Sequence, residues 1–264
     1  MKLIPMVKEI QTGEAFLADK RICLVTKSLD SRVLKTLEKL PQDPKGTPLE
    51  IAVGSEGGES YSLTVGRDRI AIQAPGAAGA FYGIQTLRQL LKEERVPCLE
   101  IRDRPDFPYR GFYHDATRGR IHTVEAIKKL IDDMAYYKMN SLQLYVEHVF
   151  EFEETKGIIP ATGYLTKAEL RELDAYCQEN FIDFVPSLST FGHMNDILNQ
   201  PQYRHLRVLK DYEPSPNRWS DRMAHHTSIP ETLRASAWFA VSSTNICPAL
   251  KASGLTSAAT KPSI

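Results

Sequence analysis

Ionisable side chains border two apolar runs in the middle of the chain. Arg110 precedes the run Gly111–Ala116, the polar stretch Asp115–Arg120 closes it, and Glu147 with His148 follows the second run. Proteins built from alternating strands and helices place their active sites at strand exits, where carboxylate, imidazole and guanidinium groups can bind and protonate a substrate. We therefore expect these residues to face one mouth, meaning the open end of the fold where the strands exit.

The elements that would position these residues follow the order strand, helix, strand. The segment Thr123–Lys138 has apolar residues on one side and charges on the other, which predicts an amphipathic helix. Thr166 and Glu169 form a capping box that predicts the start of a second helix. The apolar run Phe181–Leu188 predicts a third strand that exits toward His193. Strands that recur after helices about every 30 to 40 residues predict a (β/α) barrel.

Residues 1–102 are expected to form a small α/β domain ahead of that barrel. Tyr61–Val65 and Arg69–Ala74 alternate around a Gly-Arg-Asp turn, which predicts a β-hairpin. Gly79–Leu91 has the periodicity of a helix. A proline-containing linker marks the boundary, so the second domain is assigned to residues 103–264. Since no residues of catalytic type cluster in the first domain, we expect it to brace the second.

Composition argues against several classes of function. The chain has 264 residues with 33 basic and 33 acidic side chains, and this zero net charge gives no attraction to nucleic acid or to an acidic membrane. The four cysteines form no CxxC pair, and no apolar leader or long apolar run is present. We therefore expect a cytoplasmic protein with reduced thiols and no nucleic-acid or membrane partner. His148, His225 and His226 lack the ligand spacing of a metal site, so no metal is expected.

Four segments resemble one known family in their residues and their order. They are GAFYGIQTLRQLL (79–91), DRPDFPYRG (103–111), DDMAYYKMNSLQL (132–144) and VPSLSTFGHM (185–194). Over residues 60–227 the chain resembles glycoside hydrolase family 20, the β-N-acetylhexosaminidases. This resemblance implies a small α/β domain ahead of a (β/α)8 TIM barrel. It also implies an enzyme that removes terminal β-linked N-acetylglucosamine or N-acetylgalactosamine from glycans without a cofactor.

The resemblance further implies a mechanism and a set of site residues. In this retaining, substrate-assisted scheme, a protonated Glu donates to the leaving oxygen while the 2-acetamido oxygen of the substrate attacks the anomeric carbon. By resemblance, Arg110 binds the O3 and O4 hydroxyls of the terminal sugar, and His193 with Glu147 forms a relay to the general acid. The family shows two acidic residues where this chain has Glu147-His148. The simpler alternatives are a surface or interdomain ion pair for Arg110, a turn histidine for His193 and a solvated carboxylate for Glu147.

The carboxyl-terminal part departs from the family pattern. The resemblance places an Asp-Glu pair just after a segment like Asn245–Cys247, but Pro248 follows here. No Asp or Glu occurs in the last 33 positions, where 33 acidic residues in 264 would give about four. Residues 228–264 are therefore atypical, and we expect a truncated or frameshifted reading frame.

These observations predict a small α/β domain followed by the first half of a TIM barrel with a truncated or aberrant carboxyl terminus. A complete barrel needs about 250 residues, whereas residues 109–264 supply 156. Exposed half-barrel edges favour self-association. We expect a family 20 glycosidase that is inactive because the Asp-Glu pair is missing. The alternatives are a non-catalytic sugar-binding protein and a non-functional fragment.

Overall fold

The computed structural model describes residues 2–117, 121–146, 163–188, 193 and 198–209. The chain divides into two compact units. The first consists of Met1–Arg110, Ile131–Asn140 and Glu179–Ile182, and the second of Gly111–Leu130, Ser141–Gln178 and Asp183–Ile264. The first unit thus takes in the carboxyl-terminal ends of two helices that the sequence assigns to the second domain. In the part of the chain described, no helix has the length and hydropathy needed to span a bilayer.

The first unit is built on a six-stranded mixed sheet with two helices. Its elements are β1 (Glu9–Phe16), β2 (Ile22–Leu24), α1 (Ser31–Leu37), β3 (Thr47–Val53), β4 (Tyr61–Val65), β5 (Ile70–Ala74), α2 (Ala77–Leu90) and β6 (Pro97–Asp103). The strand order is β1-β6-β4-β5-β3-β2, in which β2, β3 and β5 are parallel to one another and the other pairs are antiparallel. The β4–β5 hairpin and the α2 helix confirm the elements predicted from the sequence.

One face of this sheet forms the core of the first unit. Side chains alternate along the central strands, so that Leu49, Leu63, Ile72 and Ile101 are almost completely buried while their neighbours in sequence face outward. Helix α2 packs on the strands β3, β4 and β5. The opposite face of the sheet is exposed and carries residues such as Glu50, Thr64, Gln73 and Arg102.

Helix α2 approaches the sheet closely because it has glycine where another side chain would collide. A Cβ atom on Gly79 would lie 2.1 Å from the carbonyl oxygen of Ser60, and one on Gly83 would lie 2.9 Å from Ile72 Cγ2. Both distances are shorter than van der Waals contact, so the spacing of helix and sheet depends on these two glycines.

The second unit is built on a parallel sheet with the order β7-β8-β9. Its elements follow in chain order as β7 (Gly111–Asp115), α3 (Val124–Tyr136), β8 (Ser141–Val146), α4 (Lys167–Glu179) and β9 (Asp183–Leu188). This succession confirms the βα order predicted from the sequence. The capping box at α4 also forms, since Glu169 N donates to Thr166 Oγ1 at 3.2 Å and Thr166 N donates to Glu169 Oε2 at 2.7 Å.

Candidate functional site

The carboxyl ends of the three parallel strands bring polar side chains into one row. Asp115 at the end of β7 is the Cα partner of Tyr145 on β8, and Tyr145 is the partner of Ser187 on β9. Parallel partners share a face of the sheet, and the carboxyl ends of parallel strands are where α/β folds bind ligands. Asp115 Oδ1 accepts a hydrogen bond from Thr117 N at 2.9 Å, which turns the chain at the exit.

His193 lies beside this row, five residues beyond the last residue of β9. Its ring contacts that of Tyr145 edge-on, with 6.2 Å between centroids, and Tyr145 in turn stacks on Tyr113 at 5.8 Å. His193 has φ of 57°, a left-handed conformation that non-glycine residues adopt at an energetic cost. The structure therefore brings His193 to the strand exits that the sequence assigned to it, and its role in a proton relay stays a prediction.

Glu147, which the resemblance assigns to the relay, lies outside the described residues, as does its neighbour His148. The histidines rejected as metal ligands, His225 and His226, and the atypical residues 228–264 lie outside them as well. Within the described ranges, no group of three or more His, Cys, Asp or Glu side chains has the arrangement of a metal site.

Arg110 does not share the mouth formed by the strand exits, and this expectation from the sequence is wrong. Strand β7 begins at Gly111 and runs parallel to β8, so Arg110 precedes the strand at its amino end. Asp115 ends the same strand, about 16 Å further along at the rise of an extended chain. A side chain at the amino end of a parallel sheet lies away from the edge where such folds bind substrates.

The donors of Arg110 are engaged within the first unit. Nη1 donates to Glu59 Oε2 and to the carbonyl oxygen of Phe107, both at 2.8 Å, and Nε donates to the carbonyl oxygen of Lys138 at 2.8 Å. Asn140 completes the cluster, because its Nδ2 donates to Glu59 Oε1 at 3.1 Å and its Oδ1 accepts from Arg110 N at 2.8 Å. These contacts favour the ion-pair alternative for Arg110, and sugar binding by this residue stays a prediction.

A second polar cluster in the first unit was not predicted from the sequence. Lys138 Nζ donates to Tyr61 Oη at 2.7 Å and to Asp103 Oδ2 at 3.0 Å, and Tyr61 Oη donates to the same Asp103 oxygen at 2.7 Å. Burial lowers the pKa of Lys138 despite the opposing effect of Asp103. Burial, followed by the charge of Asp103, raises the pKa of Tyr61. No local pattern marks these residues, because they come together only through the tertiary fold.

A histidine pair in the second unit was also missed. His114 Nε2 and His122 Nδ1 are 3.3 Å apart, which suits a hydrogen bond between one protonated and one unprotonated ring nitrogen. Burial and, secondly, the neighbouring His122 lower the pKa of His114, while Asp115 opposes this shift. The two histidines are eight residues apart, one near the end of β7 and the other shortly before α3, and no sequence pattern connects such positions.

Comparison with protein families matches two segments of this chain to one family. Residues 1–104 match the model for glycosyl hydrolase family 20, domain 2, and residues 107–152 match the model for the catalytic domain of the same family. The two segments together span more than half of the chain.

Curated relatives carry names of the same kind. A β-hexosaminidase of Akkermansia muciniphila is 35% identical over 158 residues, which cover 51% of this chain and 32% of the relative. An N,N'-diacetylchitobiase of Vibrio harveyi is 26% identical over 187 residues, which cover 58% of this chain and 21% of the relative. The matched part of the chain thus spans a third or less of the length of these relatives.

Solved structures show the same fold. A chitobiase of Flavobacterium johnsoniae superposes with a TM-score of 0.75 at 23% identity, covering 94% of this chain and 43% of that structure. A β-N-acetylhexosaminidase of Bacteroides fragilis also gives a TM-score of 0.75, at 21% identity, covering 95% of this chain and 55% of that structure.

Proposed function

Because the chain belongs to glycosyl hydrolase family 20, we propose that it is the scaffold of an exo-β-N-acetylhexosaminidase. The substrate class is a glycan with a terminal β-linked N-acetylglucosamine or N-acetylgalactosamine. One observation carries this proposal: two models of one family match consecutive segments of the chain, one in each predicted domain.

The proposed reaction is retaining and substrate-assisted. The 2-acetamido oxygen of the sugar attacks the anomeric carbon while a carboxylic acid protonates the leaving oxygen, and water then opens the cyclic intermediate. Asp115, Tyr145 and His193 lie at the exits of β7, β8 and β9, and this position supports a role in binding the sugar or in positioning the acid. Glu147, the first residue after β8, is the proposed acidic partner of His193 in the relay.

We further propose that the chain with the printed sequence does not turn substrate over. The scheme requires an acid for the leaving group and a second carboxylate to orient the acetamide, and no Asp or Glu follows Glu231. Sugar binding without catalysis is the second candidate function. The polar side chains at the described strand exits could bind a sugar even when the two carboxylates that the reaction requires are missing.

Binding of the monosaccharide tests whether the strand exits recognise an N-acetylhexosamine. We expect saturable binding of N-acetylglucosamine in ligand-observed NMR and no binding of glucose, since only the former carries the acetamide. His193→Ala should weaken binding roughly tenfold, the effect of one lost hydrogen bond in a desolvated site. Arg67→Gln, in the β4–β5 turn, is the matched surface control and should bind as the parent does. Equal binding of glucose and N-acetylglucosamine would contradict the proposal.

A further inference from the structure

The face of the first sheet that points away from α2 carries a cleft that the proposed hydrolase function does not use. Its volume is about 610 Å³, within the range of roughly 300–1,000 Å³ found for small-molecule sites. It lies where β3, β5 and β6 end and where β1 and β4 begin. The polar side chains that line the cleft include Glu9, Ser62, Gln73, Arg102 and Arg104.

The sheet register places the polar members of this cleft in one row. Glu9 is the Cα partner of Arg102, Arg102 of Ser62, and Ser62 of Gln73. Cross-strand partners point to the same face, so a cation, a hydroxyl and an amide lie side by side across neighbouring strands. Hydroxyl and amide groups both donate and accept hydrogen bonds, as the hydroxyl groups of a sugar require.

Two guanidinium groups in this cleft have no ion-pair or hydrogen-bond partner among the residues that the structure describes. Arg102 and Arg104 are exposed, and neither side chain forms an ion pair or hydrogen bond with the part of the chain that the structure describes. The other charges of the wall are matched, since Lys8 pairs with Asp106 and Asp103 pairs with Lys138. Glu9 is the one carboxylate in the described lining that has no partner, so the cleft has an excess of positive charge. The guanidinium fork fits the two oxygens of a carboxylate or a sulfate.

We propose that this cleft binds an anionic sugar, in which a carboxylate or sulfate group contacts Arg102 and Arg104 and neighbouring hydroxyls contact Ser62 and Gln73. An acidic peptide fits less well. The strands β4, β5 and β6 that form the floor each have a neighbour on both sides, so they offer no free backbone edge for an added strand. The proposal stands independently of hydrolysis at the strand exits of the second unit.

Isothermal titration calorimetry on the full chain tests this assignment with three probes: glucuronic acid, N-acetylglucosamine 6-sulfate and uncharged N-acetylglucosamine. Both acidic sugars should bind, and Arg102→Gln and Arg104→Gln should each weaken that binding about tenfold, as expected for a charge-assisted hydrogen bond. Glu9→Gln should strengthen it several-fold, because a repelling carboxylate is removed. Raising the salt concentration about tenfold, from roughly 0.05 to 0.5 M, should weaken the binding of the acidic sugars, because salt screens their attraction to the two arginines.

Matched variants separate this site from the others. Arg67→Gln removes an exposed arginine at the opposite end of β4 and should change nothing, whereas an equal loss in this variant would show unspecific charge attraction and overturn the proposal. Failure of both acidic sugars to bind would overturn it as well, and so would tighter binding of a poly-glutamate peptide. His193→Ala should leave the binding of glucuronic acid unchanged, because this sugar has no acetamide for the strand exits to recognise. The proposal for this cleft and the proposal for the strand exits can therefore fail separately.

Discussion

At the residue scale, the charged side chains with the largest effect on stability are those that are buried away from solvent. Lys138 and Asp103 expose 7% and 9% of their side chains, and both share hydrogen bonds with the Tyr61 hydroxyl. Lys138 also has φ of 61°, so its backbone is held in a conformation that disfavours a side chain. The fold thus relies on a buried ion pair whose partners are 35 residues apart in sequence.

Removal of one charge from this pair should be costly. We predict that Asp103→Asn lowers the free energy of unfolding by about 3–5 kcal/mol, because it leaves the buried ammonium of Lys138 without its counter-ion. Asp106→Asn, which removes the exposed partner of Lys8, should cost at most about 1 kcal/mol. Urea denaturation followed by far-ultraviolet circular dichroism measures both variants, and equal losses in the two would contradict the assignment.

The histidine pair leads us to expect that the stability of the fold depends on pH. The pKa of His114 is lowered in the folded state, so the unfolded chain takes up the proton more readily. The stabilisation from the neutral form is therefore complete above about pH 6.5 and is lost as the pH falls from there through the lower pKa of the folded state.

His114→Gln should flatten the dependence of the urea midpoint on pH between about 5 and 7, where an unperturbed histidine titrates. A parent-like slope in His114→Gln would show that other groups are responsible.

At the element scale, the sequence predicted the elements that have one apolar face. Helix α2, the β4–β5 hairpin and the strands of the parallel sheet all follow from alternation or helical periodicity. Strand β1 was missed because all eight of its residues are exposed, so no alternation marks it. Helix α1 was missed because it has only seven residues, and its start depends on a hydrogen bond from Arg32 N to the Asp30 side chain.

The close approach of α2 to the sheet can be tested with a single methyl group. Alanine normally stabilises a helix relative to glycine by about 1 kcal/mol, but Gly79→Ala would place a Cβ 2.1 Å from Ser60 O. We predict a net loss of about 1–3 kcal/mol in unfolding free energy, as for other overpacked sites.

The control for this substitution is Gly13→Ala. Its added Cβ would lie 3.6 Å from the nearest atom, which is ordinary contact. This variant should unfold at nearly the same urea concentration as the parent, and stabilisation by Gly79→Ala would show that α2 does not need the glycine.

At the scale of the whole molecule, the order of elements was more predictable than the positions of charged residues. Hydrophobic patterns predicted three parallel strands with intervening helices, and His193 does lie beside the exit of β8. Arg110 was placed at the wrong end, although the direction of β7 already indicates that a residue before the strand lies opposite its exit. The partnership of Arg110 with Glu59 could not be predicted, because the two are 51 residues apart and no local pattern connects them.

The most direct test of the account measures release of 4-nitrophenol from 4-nitrophenyl N-acetyl-β-D-glucosaminide by the purified 264-residue chain. The β-hexosaminidase of Akkermansia muciniphila serves as the positive control, and circular dichroism first establishes that the chain is folded. We predict that the folded chain releases no nitrophenol above the buffer background, because no Asp or Glu follows Glu231 to supply the carboxylate pair that the proposed mechanism requires. Turnover by this chain that Glu147→Gln abolishes would contradict the account and identify the acid among the residues already present.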